Sequence, residues 1–184
     1  MNYAAQIRRI EAGEGLAYSE ARALMAALLD GGVPELETAA FLVALNRSDP
    51  GLDGWLGLSA ALAERLPEWR APDGPYRTVV LPTYHGVRAT PHFTPLLALL
   101  LREFGIPVLL HGVLDGGGGA AAAYVLRELG VLPQTTGAQV EAALATDGLA
   151  FAPVGLLNPG LAALLALRAR LGVEGLAARL ANLA

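Results

Sequence analysis

Residues 79–112 constrain the fold of this chain more than any other stretch, because an apolar helix pattern lies there between two apolar strand patterns. The apolar run Val79 to Leu81 ends at Pro82 and is followed by a polar loop. A leucine-rich helix pattern then covers residues 93–104, and a second apolar run covers residues 107–111. Two buried-type strands joined by a helix predict a βαβ unit, and therefore a parallel sheet.

The carboxyl ends of these strands are the predicted location of a ligand site, since open parallel sheets bind ligands beyond those ends. In this chain the ends carry the segments Thr83 to Arg88 and His111 to Asp115. Thr94 opens the helix between them, followed by Pro95 at a position where a missing N–H costs least. We therefore expect candidate functional residues in these segments.

Apolar periodicity and turn residues divide the chain into three parts. Residues 1–66 contain four helix patterns, and residues 67–76 carry three prolines and a glycine, which is typical of a linker. Strands predicted at 77–82, 107–111 and 149–154 alternate with helices in the remainder. The predicted organisation is a helical domain (1–66), a linker (67–76) and an α/β domain (77–184). Because a three-stranded parallel sheet is small, we expect the chain to oligomerise or to be part of a longer protein.

Composition and apolar patterning predict the cellular compartment of the protein. The chain has 184 residues, of which 54% are hydrophobic, with a mean hydropathy of +0.45. Its longest uncharged apolar run, Leu149 to Leu167, is interrupted by Pro153, Asn158 and Gly160, so it predicts a strand and a helix instead of a membrane span. The first residues lack the apolar stretch of a secretory signal, and the absence of Cys excludes a disulfide framework. Together these features predict a cytoplasmic protein with no membrane partner.

Charge argues against a strong general nucleic-acid binder. The thirteen basic residues are all Arg, and seventeen acidic residues give a net charge of −4. Proteins that bind nucleic acid through its backbone usually carry a basic excess. A local arginine patch remains an open alternative.

The ordered set of motifs resembles the anthranilate phosphoribosyltransferase family, which belongs to glycosyltransferase family 3 and has the nucleoside phosphorylase class II fold. The helical opening is similar to that of the family, and His111-Gly112 resembles its Lys-His-Gly-Asn segment. Phe151-Ala152-Pro153 and Asn158-Pro159 resemble its Phe-Ala-Pro and His-Pro motifs, and Arg168 to Val173 resembles its Arg-x-x-Leu-Gly-Ile. The resemblance covers nearly all of the chain. It implies the amino-terminal half of that fold, a small helical domain followed by a mostly parallel sheet.

The most specific resemblance is to a divergent, YbiB-type branch of that family. Its loop also reads Pro-x-Tyr-x-Gly-x-Arg, as in Pro82 to Arg88, and is followed by Leu-Thr-Pro and a leucine run, similar to Phe93 to Leu101. This branch is known as glycosyltransferase-like or DNA-binding. The resemblance therefore implies nucleic acid as one candidate partner.

Departures from the enzymes of the family affect the residues that hold phosphate. The enzymes bind the pyrophosphate of phosphoribosyl pyrophosphate on a Gly-Thr-Gly-Gly-Asp loop, whose glycines let backbone N–H groups approach the phosphates. Here Tyr84 and His85 occupy the loop, Gly86 is its one glycine, and Leu110 replaces the Lys before His-Gly. Phosphoryl chemistry without these groups lacks its electrostatic stabilisers. We therefore assign no catalytic residue and no cofactor, with Mg²⁺ and phosphoribosyl pyrophosphate as the alternative.

Nine residues are candidates for ligand or phosphate binding because of their position or the resemblance. They are Thr83, Tyr84, His85, Gly86, Arg88, Thr94, His111, Gly112 and Arg168. Arg88 is interpreted either as a bidentate fork for phosphate or carboxylate, or as a solvated loop residue. Tyr84 either stacks on a base or sugar or is a half-buried loop residue. Arg168 either matches the acceptor-binding Arg of the family or is an exposed helical residue.

Two further patterns have a structural and a functional interpretation. His85, His92 and His111 are enough to bind a metal, but no acidic pattern accompanies them, which favours separate capping or hydrogen-bonding roles. Gly116 to Gly119 precede a helix and resemble an anion nest, but the run has no fixed spacing and no neighbouring Lys or Ser, which favours a flexible loop. We therefore assign no metal site.

The favoured hypothesis is a catalytically degenerate, phosphoribosyltransferase-like binding protein. The family resemblance implies a homodimer through the amino-terminal helices, although the apolar faces of residues 18–30 and 34–46 are equally consistent with an intramolecular core. The alternatives are a glycosyl or phosphoribosyl transferase with an unidentified acceptor, and a half-domain that serves only in self-association.

Overall fold

The structure is a computed structural model that describes residues 2–84, 93–115, 121–172 and 176–182. The chain forms two units, of which one comprises Met1–Leu66 with Asn158–Ala184 and the other comprises Pro67–Leu157. Among the described residues, no helix combines the length and the apolar character that a membrane span requires.

The first unit is helical and packs around leucine and phenylalanine side chains. Its helices are α1 (Tyr3–Glu11), α2 (Tyr18–Leu29), α3 (Glu35–Arg47), α4 (Gly51–Ala63), α9 (Pro159–Leu171) and α10 (Leu176–Ala181). Leu24, Phe41, Leu45, Leu58 and Leu62 are fully buried between them. Most of the apolar surface of α2 and α3 is therefore intramolecular core, as one of the two interpretations of these helices predicted.

The carboxyl-terminal helices belong to this helical unit, which differs from the expected α/β domain of residues 77–184. A Cβ atom on Gly160 would overlap the carbonyl group of Leu29, so the missing side chain is what lets α9 approach α2. Asn158 accepts a hydrogen bond from the backbone N–H of Leu161 at 2.8 Å and donates to the carbonyl oxygen of Arg65 at 3.3 Å. These local contacts fix the start of α9 to the helical unit.

The second unit is an α/β layer with the predicted parallel sheet, which confirms the expected fold class. Its elements are β1 (Val79–Thr83), α5 (Thr94–Glu103), β2 (Val108–Gly112), α6 (Ala122–Glu128), α7 (Gly137–Asp147), β3 (Leu149–Pro153) and α8 (Val154–Leu157). The strand order is β1-β2-β3, and both pairings are parallel. The uncharged run from Leu149 forms a strand and helices, as expected.

Helices cover both faces of the sheet. On one face, Ala98 of α5 and Leu126 of α6 pack against Leu110 and Phe151. On the other face, Val140 and Leu144 of α7 pack against Leu109, Ala150 and Ala152. Alternate residues of β2 and β3 therefore point to opposite faces, which explains why both strands read as continuous apolar runs.

The proline-rich segment expected as a linker, residues 67–76, begins the α/β unit. Trp69 packs against the apolar cluster under α7, and a Cβ atom on Gly137 would come within 2.7 Å of its indole nitrogen. The backbone N–H of Arg70 donates to the carboxylate of Glu141 at 2.9 Å. The start of this segment is therefore held on the sheet layer by its own side chains and backbone.

Candidate functional site

The carboxyl ends of β1 and β2 bring four of the nine candidate residues together. The parallel register places Pro82 opposite His111 and Thr83 opposite Gly112, and Tyr84 follows directly after β1. The sequence predicted from the βαβ pattern that the carboxyl ends of the two strands adjoin, and the strand register confirms this for Thr83 and Gly112.

A hydroxyl group ties the two strand ends together. Thr83 Oγ1 donates to the carbonyl oxygen of His111 at 2.9 Å, and the Thr83 side chain is buried. A Cβ atom on Gly112 would collide with that same Thr83 Oγ1. Glycine is therefore needed at position 112 because the neighbouring strand passes too close for a side chain.

The centre of the site is a hydrogen bond between Tyr84 and His111. The phenolic oxygen lies 2.8 Å from His111 Nδ1, and the two rings meet edge to face with their centroids 5.2 Å apart. Tyr84 is 0% exposed and His111 is 1% exposed. When the imidazole carries its proton on Nε2, Nδ1 accepts the hydrogen bond that the phenol donates.

Both members of this pair are neutral at physiological pH. Burial lowers the pKa of His111 from 6.5 to about 4, because the charged imidazolium would lose its hydration. Burial raises the pKa of Tyr84 for the same reason, since the phenolate is the charged form of that side chain. The pair therefore supplies packing and one hydrogen bond to the strand ends, and it supplies no positive charge.

The other candidate residues are not part of this group at the ends of β1 and β2. Thr94 begins α5 and is partly buried, and in the described structure no hydrogen bond joins it to Tyr84 or His111. The positions of His85, Gly86 and Arg88 lie outside the described residues, as do His92 and the glycine run 116–119. Arg168 is a residue of α9 in the helical unit, and its side chain is also outside the described set.

The hydrogen-bonding interpretation of His111 is confirmed, whereas the half-buried interpretation of Tyr84 is wrong because its side chain is fully buried. The stacking interpretation of Tyr84 stays a prediction. Within the described ranges, no group of three His, Asp or Glu side chains is placed to hold a metal ion. The sequence carried one signal for the burial of Tyr84, which is its position immediately after a mainly apolar strand that ends in Thr83. The sequence did not indicate that His111 is the hydrogen-bond partner of the Tyr84 hydroxyl group.

Comparisons with known proteins place these strand ends in a family context. Residues 5–65 match the model of the glycosyl transferase family, helical bundle domain. The chain is 35% identical to the uncharacterized protein YbiB of Escherichia coli (strain K12), over 188 residues that cover 100% of this chain and 59% of YbiB. It is 30% identical to the anthranilate phosphoribosyltransferase of Methylobacterium nodulans, over 79% of this chain and 42% of that enzyme.

The fold, like the sequence, is similar to that of the anthranilate phosphoribosyltransferases. The crystal structure of anthranilate phosphoribosyltransferase from Thermus thermophilus superposes on all of this chain with a TM-score of 0.80 and 25% identity. The chain is related to the amino-terminal half of the anthranilate phosphoribosyltransferases. It covers 54% of the Thermus enzyme and 59% of YbiB, so it spans little more than half the length of these relatives. The family resemblance and the helical-plus-parallel-sheet fold expected from the sequence are both confirmed.

Proposed function

We propose that the chain is a catalytically degenerate, phosphoribosyltransferase-like protein, which acts by binding and does not transfer a phosphoribosyl group. The observation that carries the proposal is the buried pair of Tyr84 and His111 at the ends of β1 and β2. Tyr84, with its hydrogen bond to His111, follows β1 directly, where the resemblance implies the start of a glycine-rich phosphate loop.

Phosphate binding needs hydrogen-bond donors or positive charge aimed at the ligand, and the hydroxyl groups of Thr83 and Tyr84 are already bonded within the strand ends. Thr83 Oγ1 already donates to the carbonyl oxygen of His111, and His111 Nδ1 is bonded to Tyr84. The imidazole is neutral because its pKa is lowered to about 4. A sugar diphosphate would therefore have to break these bonds before it could use the hydroxyl groups of Thr83 and Tyr84.

Nucleic acid is the ligand class that the YbiB-type resemblance suggests, and the distribution of the arginines predicts that binding would be weak. Among the described residues, seven arginines form ion pairs with acidic side chains. They are Arg9, Arg22, Arg65, Arg70, Arg102, Arg127 and Arg170. An arginine that is already paired, in a chain with a net charge of −4, contributes less to a backbone-tracking surface.

Self-association through the amino-terminal helices is the second part of the proposal. Leu36 of α3 is 80% exposed, and it lines an apolar groove of about 400 Å³ between α3 and α9. An exposed leucine beside an apolar groove is a surface that a second copy of the helical unit would cover. Light scattering of wild type and of Leu36→Glu tests this part, with a homodimer expected for wild type alone.

The main proposal is tested by titrating the isotope-labelled chain with pyrophosphate, with and without Mg²⁺, while following the amide resonances of Thr83, Tyr84 and Gly112. We expect no saturable change, and a complete anthranilate phosphoribosyltransferase serves as the positive control for the reagents. Saturable shifts at these three residues would favour the alternative of a working transferase.

Nucleic-acid binding is tested by filter binding at low salt with single- and double-stranded DNA. We expect weak retention of the DNA, which added salt abolishes.

A further inference from the structure

A cavity of about 380 Å³ opens in the α/β unit at the amino-terminal end of β3. Its walls are the last turns of α5 and α7, the segment that follows α6, and the first residue of β3. Because the sheet is parallel, the cavity lies at the opposite end of the strands from Tyr84 and His111. Its volume falls within the range of small-molecule sites in proteins. It is therefore a candidate ligand site that is separate from the strand ends described above.

Leucine side chains form the apolar part of this cavity. Leu149 is the first residue of β3 and is 3% exposed, whereas Leu129 and Leu132, after α6, are 52% and 60% exposed. A ligand that covers the two exposed leucines removes apolar surface from water, which favours binding. The cavity therefore favours a ligand that carries an apolar group.

Two residues of opposite charge line the same cavity. Arg102 lies in the last turn of α5, and Asp147 is the last residue of α7. The Arg102 guanidinium pairs with the adjacent Glu103 at 3.2 Å, and because these side chains are 36% and 71% exposed, the pair is weak. No hydrogen bond or ion pair joins the Asp147 carboxylate to another described residue. The cavity thus holds a positive and a negative group that do not neutralise each other.

The position of Asp147 is unfavourable unless a cation is bound near it. A helix carries partial negative charge at its carboxyl end, where a carboxylate is repelled. Helix α7 has no basic residue in its last turn and is capped by Gly148. The aliphatic part of Arg102 lies over this cap, since a Cβ atom on Gly148 would be 3.3 Å from Arg102 Cγ, whereas the guanidinium pairs with Glu103. The end of α7 therefore favours an added cation.

We propose that this cavity binds a free α-amino acid with an apolar side chain. The ammonium group of the ligand binds at Asp147 and the carboxyl end of α7, and its carboxylate binds the Arg102 guanidinium in place of Glu103. The side chain of the ligand covers Leu129 and Leu132. A ligand that carries only one of the two charges leaves the other protein group unpaired, which is the basis of specificity. This inference does not depend on the proposed function.

The test titrates the isotope-labelled 184-residue chain with L-leucine and, separately, with L-phenylalanine. We expect saturable shifts of the amide resonances of Gly130, Asp147 and Gly148, which locate the ligand in the cavity. Leucinamide lacks the carboxylate and isocaproate lacks the ammonium group, so each should bind at least ~10-fold more weakly than L-leucine.

One variant tests each of the two charges. Asp147→Asn and Arg102→Gln should each weaken the binding of L-leucine by at least ~10-fold. Asp73→Asn is the matched control for the first, because the Asp73 side chain is 99% exposed and lies outside the cavity. Arg127→Gln is the matched control for the second, because Arg127 also pairs with the next residue in the chain, at 3.7 Å, and lies outside the cavity. Both controls should bind L-leucine as tightly as wild type.

Thermal unfolding without ligand gives a second readout. Asp147→Asn should raise the unfolding temperature, because it removes a carboxylate from the carboxyl end of α7. An unfolding temperature at or below that of wild type would show that Asp147 is already compensated within the chain, and it would overturn the proposal. The proposal is also overturned if neither amino acid binds, if leucinamide or isocaproate binds as tightly as L-leucine, or if either cavity variant binds like its control.

Discussion

The two units of the molecule place their polar side chains in opposite environments. The α/β unit buries an uncharged pair, Tyr84 and His111, at its strand ends. The helical unit carries charged pairs near its surface, where Arg22 forms two hydrogen bonds to Glu64 at 2.8 and 2.9 Å. Arg65 contacts Asp30 in the same bidentate way, at 2.8 and 2.7 Å.

Their pKa values shift in ways that reflect this difference. Burial lowers the pKa of His111 because the interior disfavours the charged imidazole. Hydrogen bonds from Arg22 and Arg65 lower the pKa values of Glu64 and Asp30 because they favour the charged carboxylates. The buried environment of His111 therefore favours its neutral form, whereas the surface ion pairs favour the charged forms of Glu64 and Asp30. This contrast predicts separate pH windows, and it predicts that salt weakens the surface pairs but not the buried pair.

The largest expected effect is a loss of stability when His111 is protonated. The folded pKa of about 4 lies below the ordinary value of 6.5, so the unfolded chain binds the proton more tightly. Stability is therefore full above pH 6.5 and falls as the pH decreases toward 4, by up to ~3 kcal/mol at ~1.4 kcal/mol per pH unit. Urea unfolding as a function of pH measures this fall, and a nuclear magnetic resonance titration of the His111 ring gives its pKa directly.

The pH window separates this effect from the surface carboxylates. Glu64 and Asp30 have pKa values lowered from 4.5 and 3.8, so their contribution is lost only at lower pH. The decrease in stability between about pH 6.5 and about pH 4.5 should disappear in His111→Leu, which cannot titrate. A His111 ring that titrates near 6.5 in the folded protein would remove the basis of the contrast.

The second effect concerns the close approach of β1 and β2. Gly112→Ala places a methyl group against Thr83 Oγ1, and overpacking of this kind costs ~1–3 kcal/mol. Gly74→Ala is the control, because no atom lies within 4 Å of its added Cβ. Adding Thr83→Ala to Gly112→Ala should restore part of the lost stability in urea unfolding, since the colliding oxygen is then absent. Equal stabilities of Gly112→Ala and Gly74→Ala would show that the strands separate easily.

A smaller loss is expected when the buried pair loses its hydroxyl group. Tyr84→Phe leaves His111 Nδ1 buried without a partner, which costs ~1–2 kcal/mol. Tyr76→Phe is the matched control, because Tyr76 is 52% exposed and should tolerate the change. Thermal unfolding of the two variants measures the difference. If both variants unfold at the wild-type temperature, the hydrogen bond does not stabilise the strand ends.

The strand ends could be predicted from the sequence because the signals for them are local. Apolar runs and Gly105 mark the approximate positions of β1, α5 and β2, although β1 continues through Pro82 to Thr83. A parallel sheet places the carboxyl ends of β1 and β2 together. The bond between Tyr84 and His111 could not be predicted, since it joins residues 27 apart and depends on the register of the two strands. A register is a property of the paired strands and has no signal in either strand alone.

The placement of α9 was missed for a related reason. The sequence Asn158-Pro159-Gly160 reads as an ordinary helix start, and it follows the strand pattern of β3 directly enough to suggest one continuous α/β domain. The contact of Gly160 with the carbonyl group of Leu29 is what assigns α9 to the helical unit. A glycine required for a helix-to-helix approach has the same sequence signature as a glycine in a turn.

The smallest effect is expected at the surface pairs of the helical unit, and salt is what distinguishes it. Glu64→Gln should destabilise the protein less than any change above, because side chains of nearly half exposure exchange an ion pair for hydration at little cost. At ~1 M salt, where the Debye length is ~3 Å, the difference from wild type should shrink toward zero. Glu68→Gln is the control, since Glu68 forms no ion pair with any described residue. The Tyr84→Phe difference should persist at the same salt concentration, because a neutral buried pair is not screened, and a salt-sensitive loss there would mean that His111 is charged after all.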